Sequence, residues 1–330
     1  VNRPPGPAPH ILPINKDMLT GAAGLIRGGY LVSFPTETVY GLGANAMSDA
    51  AVAQVFAAKQ RPTFNPLIVH VPDLVTARQY VAFNKIAEQL AAAFWPGPLT
   101  LVLPRLPDTD VSDLVSAGLP TLAIRVPASP TAQQFLSLCR RPVAAPSANR
   151  SGSLSPTMAS HVAAEFPDMD LPILDGGPCV GGLESTVIGF QEDRPILLRA
   201  GCLAVEDIDK IIGFCVKDAT TEGSKTAPAS PGMLIRHYAP STPLVINANS
   251  VNKSEAWLGF GPGAIPGLPK ASKNLSSAGD VVEAAANLFR YLRELDSAGA
   301  SAISVAPIPM IGLGRAINDR LHRGSTAKNP

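Results

Sequence analysis

Residues 17–35 read Asp17-Met-Leu-Thr-Gly-Ala-Ala-Gly-Leu-Ile-Arg-Gly-Gly-Tyr-Leu-Val-Ser-Phe-Pro35, and two different periods follow one another within them. Over Asp17–Arg27 the apolar residues Met18, Leu19, Ala22, Ala23, Leu25 and Ile26 recur at helical spacing, and Gly28-Gly29 supplies a stop. Tyr30–Phe34 then reads as a strand, ended by Pro35. The same alternation continues downstream. Asp49 is placed to cap a helix carrying Val52, Val55 and Phe56 on one face, and further helices are expected at Lys85–Phe94, Thr131–Cys139, Met158–Phe166 and Val205–Ile212. Strands are expected at Leu67–Val71, Leu99–Leu103, Leu122–Val126, Val143–Ala145, Thr186–Phe190 and Ile196–Leu198. This defines an α/β protein. Because several strands are joined by loops alone, the sheet is expected to be mixed.

Between about Lys217 and Pro243 the periodicity lapses into a polar, breaker-rich stretch, Asp218-Ala-Thr-Thr-Glu-Gly-Ser-Lys-Thr-Ala-Pro-Ala-Ser-Pro-Gly, which reads as an interdomain linker. Strands at Pro243–Ile246, Ala256–Phe260 and Ala302–Val305, with helices at Asp280–Leu295 and Gly314–Arg323, then make a small α/β domain. The expected organisation is a Pro-rich, poorly ordered arm at 1–11, a first domain at 12–215, a linker at 216–242 and a second domain at 243–330.

Composition narrows the function. Of 330 residues 46% are hydrophobic and 16% charged, as in a folded globular protein. The net charge is +1, with nine Lys/Arg against six Asp/Glu from Ser241 onward, so no basic block marks a dedicated nucleic-acid binder. Aromatic residues, at 5%, are too few to dominate as stacking platforms. Cys139, Cys179, Cys202 and Cys215 form neither a CxxC pair nor a disulfide framework, which points to reduced thiols and a cytoplasmic protein. There is no apolar run of the ~18 residues that a membrane helix needs, and no signal peptide is read at the start.

Several segments concentrate polar chemistry at strand ends, where α/β proteins bind ligands. Ser33-Phe-Pro-Thr-Glu-Thr-Val-Tyr-Gly-Leu-Gly sets two hydroxyls, a carboxylate and a phenol in one turn. Lys59-Gln-Arg61 closes a helix, where cations also complement the dipole, and leads through Asn65 to a strand bearing His70. Arg125 lies in the apolar strand of Thr121-Leu-Ala-Ile-Arg-Val-Pro; its charge needs either an anionic ligand or a buried acid. Ala145-Pro-Ser147-Ala-Asn149 and the residues to Ser155 offer hydroxyl, amide and backbone N–H groups, and Arg199 follows another apolar strand. Asp175-Gly-Gly-Pro-Cys-Val-Gly-Gly-Leu-Glu-Ser185 is glycine-rich but lacks the lysine of a P-loop. In the linker, Arg236, His237 and Tyr238 are donors able to fold back over a ligand. No catalytic triad, zinc spacing or dinucleotide fingerprint is present. These residues alone describe an anion-binding cleft lined by Lys59, Arg61, Arg125 and Arg199.

In this order the segments resemble the Sua5/YrdC family of threonylcarbamoyl-AMP synthases, through PTETVYGLG (35–43), KxR (59–61) with NPLIVHV after it, WPGPLT (95–100), TLAIRVP, APSANRSG, GLESTV, LLRAG and SPGM…RHYAP. The linker motif and Gly312-Leu-Gly-Arg-Ala-Ile-Asn-Asp-Arg-Leu are similar to the long Sua5 form. The resemblance implies an open, twisted mixed-sheet domain with a concave groove, followed by a smaller Rossmann-like domain. It implies a nucleotidyltransferase: threonine is carboxylated by bicarbonate or CO2, and the carbamate attacks the α-phosphorus of ATP, with Mg2+ on the phosphates. The product serves proteins that modify adenosine 37 of tRNA. By the same resemblance Lys59, Arg61, Ser147 and Asn149 are the catalytic signature. Thr38, His70, Arg125, Ala145 and Ser185 hold threonine. Arg61, Asn65, Thr121, Ser147, Ser155, Arg199, Arg236, His237 and Tyr238 hold ATP, and the linker is expected to act as a lid. Two rivals are an RNA-binding module, which the near-neutral charge opposes, and a carbamoyl-adenylating factor of hydrogenase maturation, whose zinc-finger CxxC pairs are missing here.

Overall fold

The computed structural model describes residues 8–219 and 237–326. Among them, eleven strands form one twisted mixed sheet, running His10–Pro13, Pro172–Asp175, Val32–Phe34, Gly41–Asn45, Val143–Ala144, Ile68–His70, Thr121–Arg125, Leu99–Pro104, Thr186–Gln191, Arg194–Arg199 and Lys217–Asp218 from edge to edge. Helices cover both faces. On one, helices Lys16–Arg27 and Pro130–Cys139 pack Leu19, Ala23, Ile26, Phe135 and Leu136 against Phe34 and Leu174. On the other, helices Asp49–Lys59 and Lys85–Phe94 bury Val52, Val55 and Leu90 with Leu101 and Ile124.

Local chemistry sets the helix starts. Asn15 caps the first helix by accepting the Met18 N–H at 2.9 Å. Helix Asp49–Lys59 is capped by Ser48, which accepts the Ala51 N–H, so Asp49 sits in the first turn instead, where its charge still favours the dipole. The expected arm at 1–11 is shorter at its end than its composition implied. A strand begins at His10 and pairs in parallel with Pro172–Asp175. Strand Gly41–Asn45 carries no β-branched alternation; small residues stand there because neighbours press close. A Cβ on Gly43 would lie 3.0 Å from both Phe34 Cε1 and Val143 Cγ1.

The linker is anchored at its first end, where Lys217–Asp218 extends the large sheet beside Arg194–Arg199. Residues 220–236, including Arg236 and the middle of the expected lid, lie outside the described residues. From His237 the chain packs into the groove, and the Ala239 N–H donates to the Gly152 carbonyl at 2.8 Å.

The second unit is a four-stranded, all-parallel sheet in the order Leu244–Val245, Ile303–Val305, Ala256–Gly259 and Ala271–Asn274. Helices Val281–Asp296 and Gly314–Ser325 lie against it. Their apolar faces also reach the first unit, because Leu288, Phe289, Ile317 and Leu321 share one core with Val39, Leu154, Leu183 and Tyr238. Gly182 makes the approach possible. It has φ +68°, and a Cβ there would fall 2.3 Å from the Ala285 carbonyl oxygen.

Candidate active site

Strand ends and loops from across the large sheet converge on one cavity. Its lining includes Thr36, Thr38, Arg61, His70, Arg125, Ala145, Ser147, Glu184, Ser185, Arg199, His237 and Tyr238. Sequence positions 36 to 238 thus meet because the strand order interleaves early and late segments. Hydrogen bonds divide the walls into small networks.

At one wall stands Arg125, the cation of an otherwise apolar strand. Nη2 donates to Glu37 Oε1 at 2.6 Å, Nη1 to Thr38 Oγ1 at 2.8 Å, and Nε to the Gly97 carbonyl at 3.2 Å. The buried acid that would satisfy this charge is therefore Glu37, from the same turn as Thr38. Three of five guanidinium donors are spent and two remain, enough for the fork that a carboxylate accepts. Burial acts to raise the Glu37 pKa, but the charge and hydrogen bond of Arg125 outweigh it and hold the carboxyl below its usual value. His70, beside this pair, is lowered to about 3 by burial and the Arg125 charge, so its ring is neutral at physiological pH. Its Nδ1 lies 3.2 Å from the Ile68 carbonyl.

The signature cations differ in what they touch. Arg61 lines the cavity and is held by neutral oxygens: Nε donates to the Asn65 carbonyl at 3.0 Å, and Nη2 to Asn65 Oδ1 at 2.7 Å and the Pro66 carbonyl at 2.8 Å. Burial, with Arg199 adding to it, lowers Arg61 to about 9. Asn65 thus acts through Arg61. Lys59 stands behind the wall, 1% exposed. Its Nζ donates to the carbonyls of Ser147 at 2.6 Å and Asn149 at 2.5 Å, and lies 3.5 Å from Asn149 Oδ1. The side chain clamps the Ser147–Asn149 loop, and Ser147 Oγ completes the clamp by donating to Asn149 Oδ1 at 2.5 Å.

Arg199 joins the wall from the end of strand Arg194–Arg199, its Nη2 donating to the Ser185 carbonyl at 2.9 Å and to Ser185 Oγ at 3.1 Å. Thr100 Oγ1 lies 2.7 Å from the same hydroxyl. Ser155, fully buried behind the lining, donates to Glu184 Oε1; Glu184 Oε2 accepts from Arg320 Nε at 2.9 Å. His237 and Tyr238 close the cavity, their rings 4.0 Å apart. His237 is pushed well below its ordinary value, first by burial and then by Arg61, Lys59, Arg320 and Arg199.

Of the residues named from sequence, Thr38, Arg61, His70, Arg125, Ala145, Ser147, Ser185, Arg199, His237 and Tyr238 line this cavity. Lys59, Asn65, Asn149 and Ser155 are packed immediately behind it, bonded to its walls or to each other. Thr121 begins the strand that Arg125 ends, roughly 13 Å away along it, and pairs with Pro104 rather than lining the cavity. Sequence reasoning gave no role to Glu37, Glu184 or Arg320. The signal for Glu37 was the need of Arg125 for a partner; Glu184 and Arg320 lie within GLESTV and the Gly312–Leu321 motif, but no unmatched charge linked them.

Fold and cavity together define a two-domain α/β protein whose cleft concentrates cations and hydroxyls for an anionic ligand. Residues 24–201 match the family described as "Telomere recombination" (Sua5, YciO, YrdC), and residues 203–326 match "Threonylcarbamoyl-AMP synthase, C-terminal domain". A Pyrococcus abyssi protein named threonylcarbamoyl-AMP synthase is 42% identical over 92% of this chain and 93% of its own length. A Bacillus subtilis protein of that name is 39% identical over 95% and 94%. The crystal structure of P. abyssi Sua5 complexed with L-threonine superposes with a TM-score of 0.86 at 38% identity, covering 97% of this chain and 98% of that one. The chain belongs to the Sua5/YrdC family, in the form that carries the Sua5 C-terminal domain.

Proposed function

We infer that this protein is an L-threonylcarbamoyladenylate synthase, a nucleotidyltransferase that makes threonylcarbamoyl-AMP and pyrophosphate from L-threonine, bicarbonate or CO2, and ATP. The observation that carries the reading is the convergence of Arg61, Arg125 and Arg199 on one hydroxyl-lined cavity, in a chain 42% identical to a protein of that name. Such a reaction asks little covalent chemistry of the protein. The threonine amine adds to CO2 and loses a proton. A carbamate oxygen then bonds to the α-phosphorus, and the bond to pyrophosphate breaks. Catalysis of such a step rests on alignment and on neutralising charge, which fixed guanidinium groups supply.

In this reading the Arg125 donors left open take the threonine carboxylate, with Thr38, His70, Ala145 and Ser185 about the rest of the amino acid. Arg61, Arg199, Ser147, Ser155, His237 and Tyr238 stand on the nucleotide side, while Lys59, Asn65 and Asn149 hold these groups in place; Arg236, also expected to hold ATP, lies outside the described residues. Thr121 reaches ATP only if the nucleotide extends along its strand. Mg2+ would arrive on the ATP phosphates. Among the described residues no three His, Cys, Asp or Glu side chains cluster to hold a metal, and Glu37 and Glu184 are engaged by arginines. The ion supplies further charge neutralisation at the phosphates when bound. The adenylate would pass to proteins that complete the adenosine 37 modification in the cytoplasm. Among the described residues no helix is long and apolar enough to cross a membrane. Pyrophosphate release from ATP, measured with threonine and bicarbonate each omitted in turn, tests the reading; release that persists without threonine would sink it.

A further inference from the structure

Glu184 is buried on the cavity wall, and each of its oxygens has a different debt. Oε1 accepts the Ser155 hydroxyl, from the first domain. Oε2 accepts Arg320 Nε at 2.9 Å, from helix Gly314–Ser325 of the second domain, 136 positions along the chain. Arg320 is 1% exposed; Nη1 donates to Asp319 at 2.7 Å, and its guanidinium carbon lies 4.9 Å from the centre of the Tyr238 ring. The other support of Tyr238 also comes from the second domain, since Phe289 stacks on it at 5.7 Å.

We propose that Arg320 is a positioning residue for the nucleotide side of the cleft, fixing Ser155 through Glu184 and bearing the ring of Tyr238. This rests on the synthase reading above and gives the second domain a part in the reaction. The chemistry is that of a buried carboxylate. Without Arg320, burial would draw Glu184 toward its protonated form, in which one oxygen carries a hydrogen, and its hold on the Ser155 hydroxyl would weaken. Burial does act to raise its pKa, and Arg320 followed by Arg199 outweighs it, leaving the group ionised. Arg320 is itself locked, because burial opposes its charge while Tyr238, Glu184 and Asp319 outweigh that and raise its pKa. Arg125, the residue given to the threonine carboxylate, is held separately: its partners are Glu37, Thr38 and Gly97, none of which is a hydrogen-bond partner of Glu184 or Arg320. A disturbance at Arg320 should therefore reach ATP before it reaches threonine.

Pyrophosphate release by the full chain, with ATP and threonine varied separately, tests this. Arg320→Met is expected to raise KM for ATP about tenfold or more and to leave KM for threonine within about twofold. Arg320→Lys keeps the charge without the planar fork and recovers part of the loss. A residue serving only the fold would instead lower Tm and the active fraction while both KM values held. Because Arg320→Met strands the Glu184 carboxylate, Glu184→Gln combined with Arg320→Met is measured beside it. That neutral pair removes the stranded carboxylate, and the same rise in ATP KM is expected from it. Unchanged ATP KM in Arg320→Lys and in whichever of the other variants folds, or a threonine KM that rises as far, overturns the proposal. Wild-type protein in the same assay separates the two readings. If it shows no threonine-dependent release, the synthase reading falls and the proposal with it; if it is active while the variants match it, only the positioning role falls.

Discussion

Glu37 and Arg125, 88 positions apart, form an ion pair of 2.6 Å in which the acid braces two elements at once. One carboxylate oxygen takes the arginine. The other accepts the backbone N–H groups of Ala128 at 3.0 Å and Ser129 at 3.3 Å, just ahead of helix Pro130–Cys139. The pair orients the guanidinium from below and leaves two donors for a ligand.

Its protonation predicts an acid limb. The folded Glu37 pKa lies below the ordinary 4.5. The carboxylate therefore contributes stability that is present above that value and lost as pH falls through the folded one. Glu37→Gln should lose about 3 kcal/mol at neutral pH and show a shallower loss below pH ~5. Denaturant melts from pH 3 to 7 decide it, and parallel curves for the two proteins would refute the linkage.

Arg125→Lys should keep the fold and weaken threonine binding by about 10- to 100-fold, because an ammonium is a point charge and cannot reproduce a two-pronged grip. Calorimetric titration of threonine checks this. Wild-type affinity in the variant would make Arg125 the partner of Glu37 and nothing more.

Lys59→Met should remove about 2–3 kcal/mol of stability, since it takes the charged donor from the buried carbonyls of Ser147 and Asn149 and leaves Ser147 only the Asn149 N–H at 3.0 Å. Activity should fall further than stability does, as the clamped loop relaxes and Ser147 drifts from the cavity. A crystal structure of the variant with the 147–149 loop unmoved would contradict this account.

How far the chain could be read in advance varied with the kind of interaction. Helices Lys85–Phe94 and Val205–Ile212 fell where their periodicity put them, because one apolar stripe decides both residues and ends. Strands Gly41–Asn45 and Pro172–Asp175 were missed, since the first is small residues chosen for close neighbours and the second is a four-residue run with only Ile173 and Leu174 apolar after its proline. The cavity was legible where a charge was out of place: Arg125 in an apolar strand demanded a partner. Glu184 and Arg320 were not, although GLESTV and the Gly312–Leu321 motif contain them, because neither motif shows that the two residues meet through the packing of two domains. Lys59 was seen as a site residue, yet its contacts with loop carbonyls rather than the open cavity are a matter of three-dimensional depth.

Threonine selectivity follows from the hydroxyl-lined wall formed by Thr36, Thr38 and Ser185. Valine should be rejected strongly in kcat/KM, since it cannot exchange hydrogen bonds with these buried hydroxyls, whereas serine should lose roughly 1–3 kcal/mol for its missing methyl. Steady-state rates with the three amino acids check this, and comparable rates for valine and threonine would overturn the threonine assignment.

Gly182→Ala should lower Tm by several degrees, because its φ of +68° strains any side chain and the new methyl would meet the Ala285 carbonyl at 2.3 Å. The clash falls between the domains, so small-angle scattering should show a more open particle. A variant as stable and compact as wild type would show that the helix can yield.

The interleaved sheet also has a consequence for how the molecule comes into being on the ribosome. Strand His10–Pro13 finds its neighbour only when residues 172–175 have been made, and neighbouring strands Gly41–Asn45 and Val143–Ala144 are similarly remote. Pairings of such long range close slowly, because the loop entropy is lost before the contacts repay it. Glu184 waits longer still, as its cation is 136 positions downstream. A nascent first domain would thus hold an acid at its centre with no counter-charge from Arg320, and could not seal that centre until the last helix docked. Synthesis itself sets an order in which the catalytic cleft is among the final features to be completed.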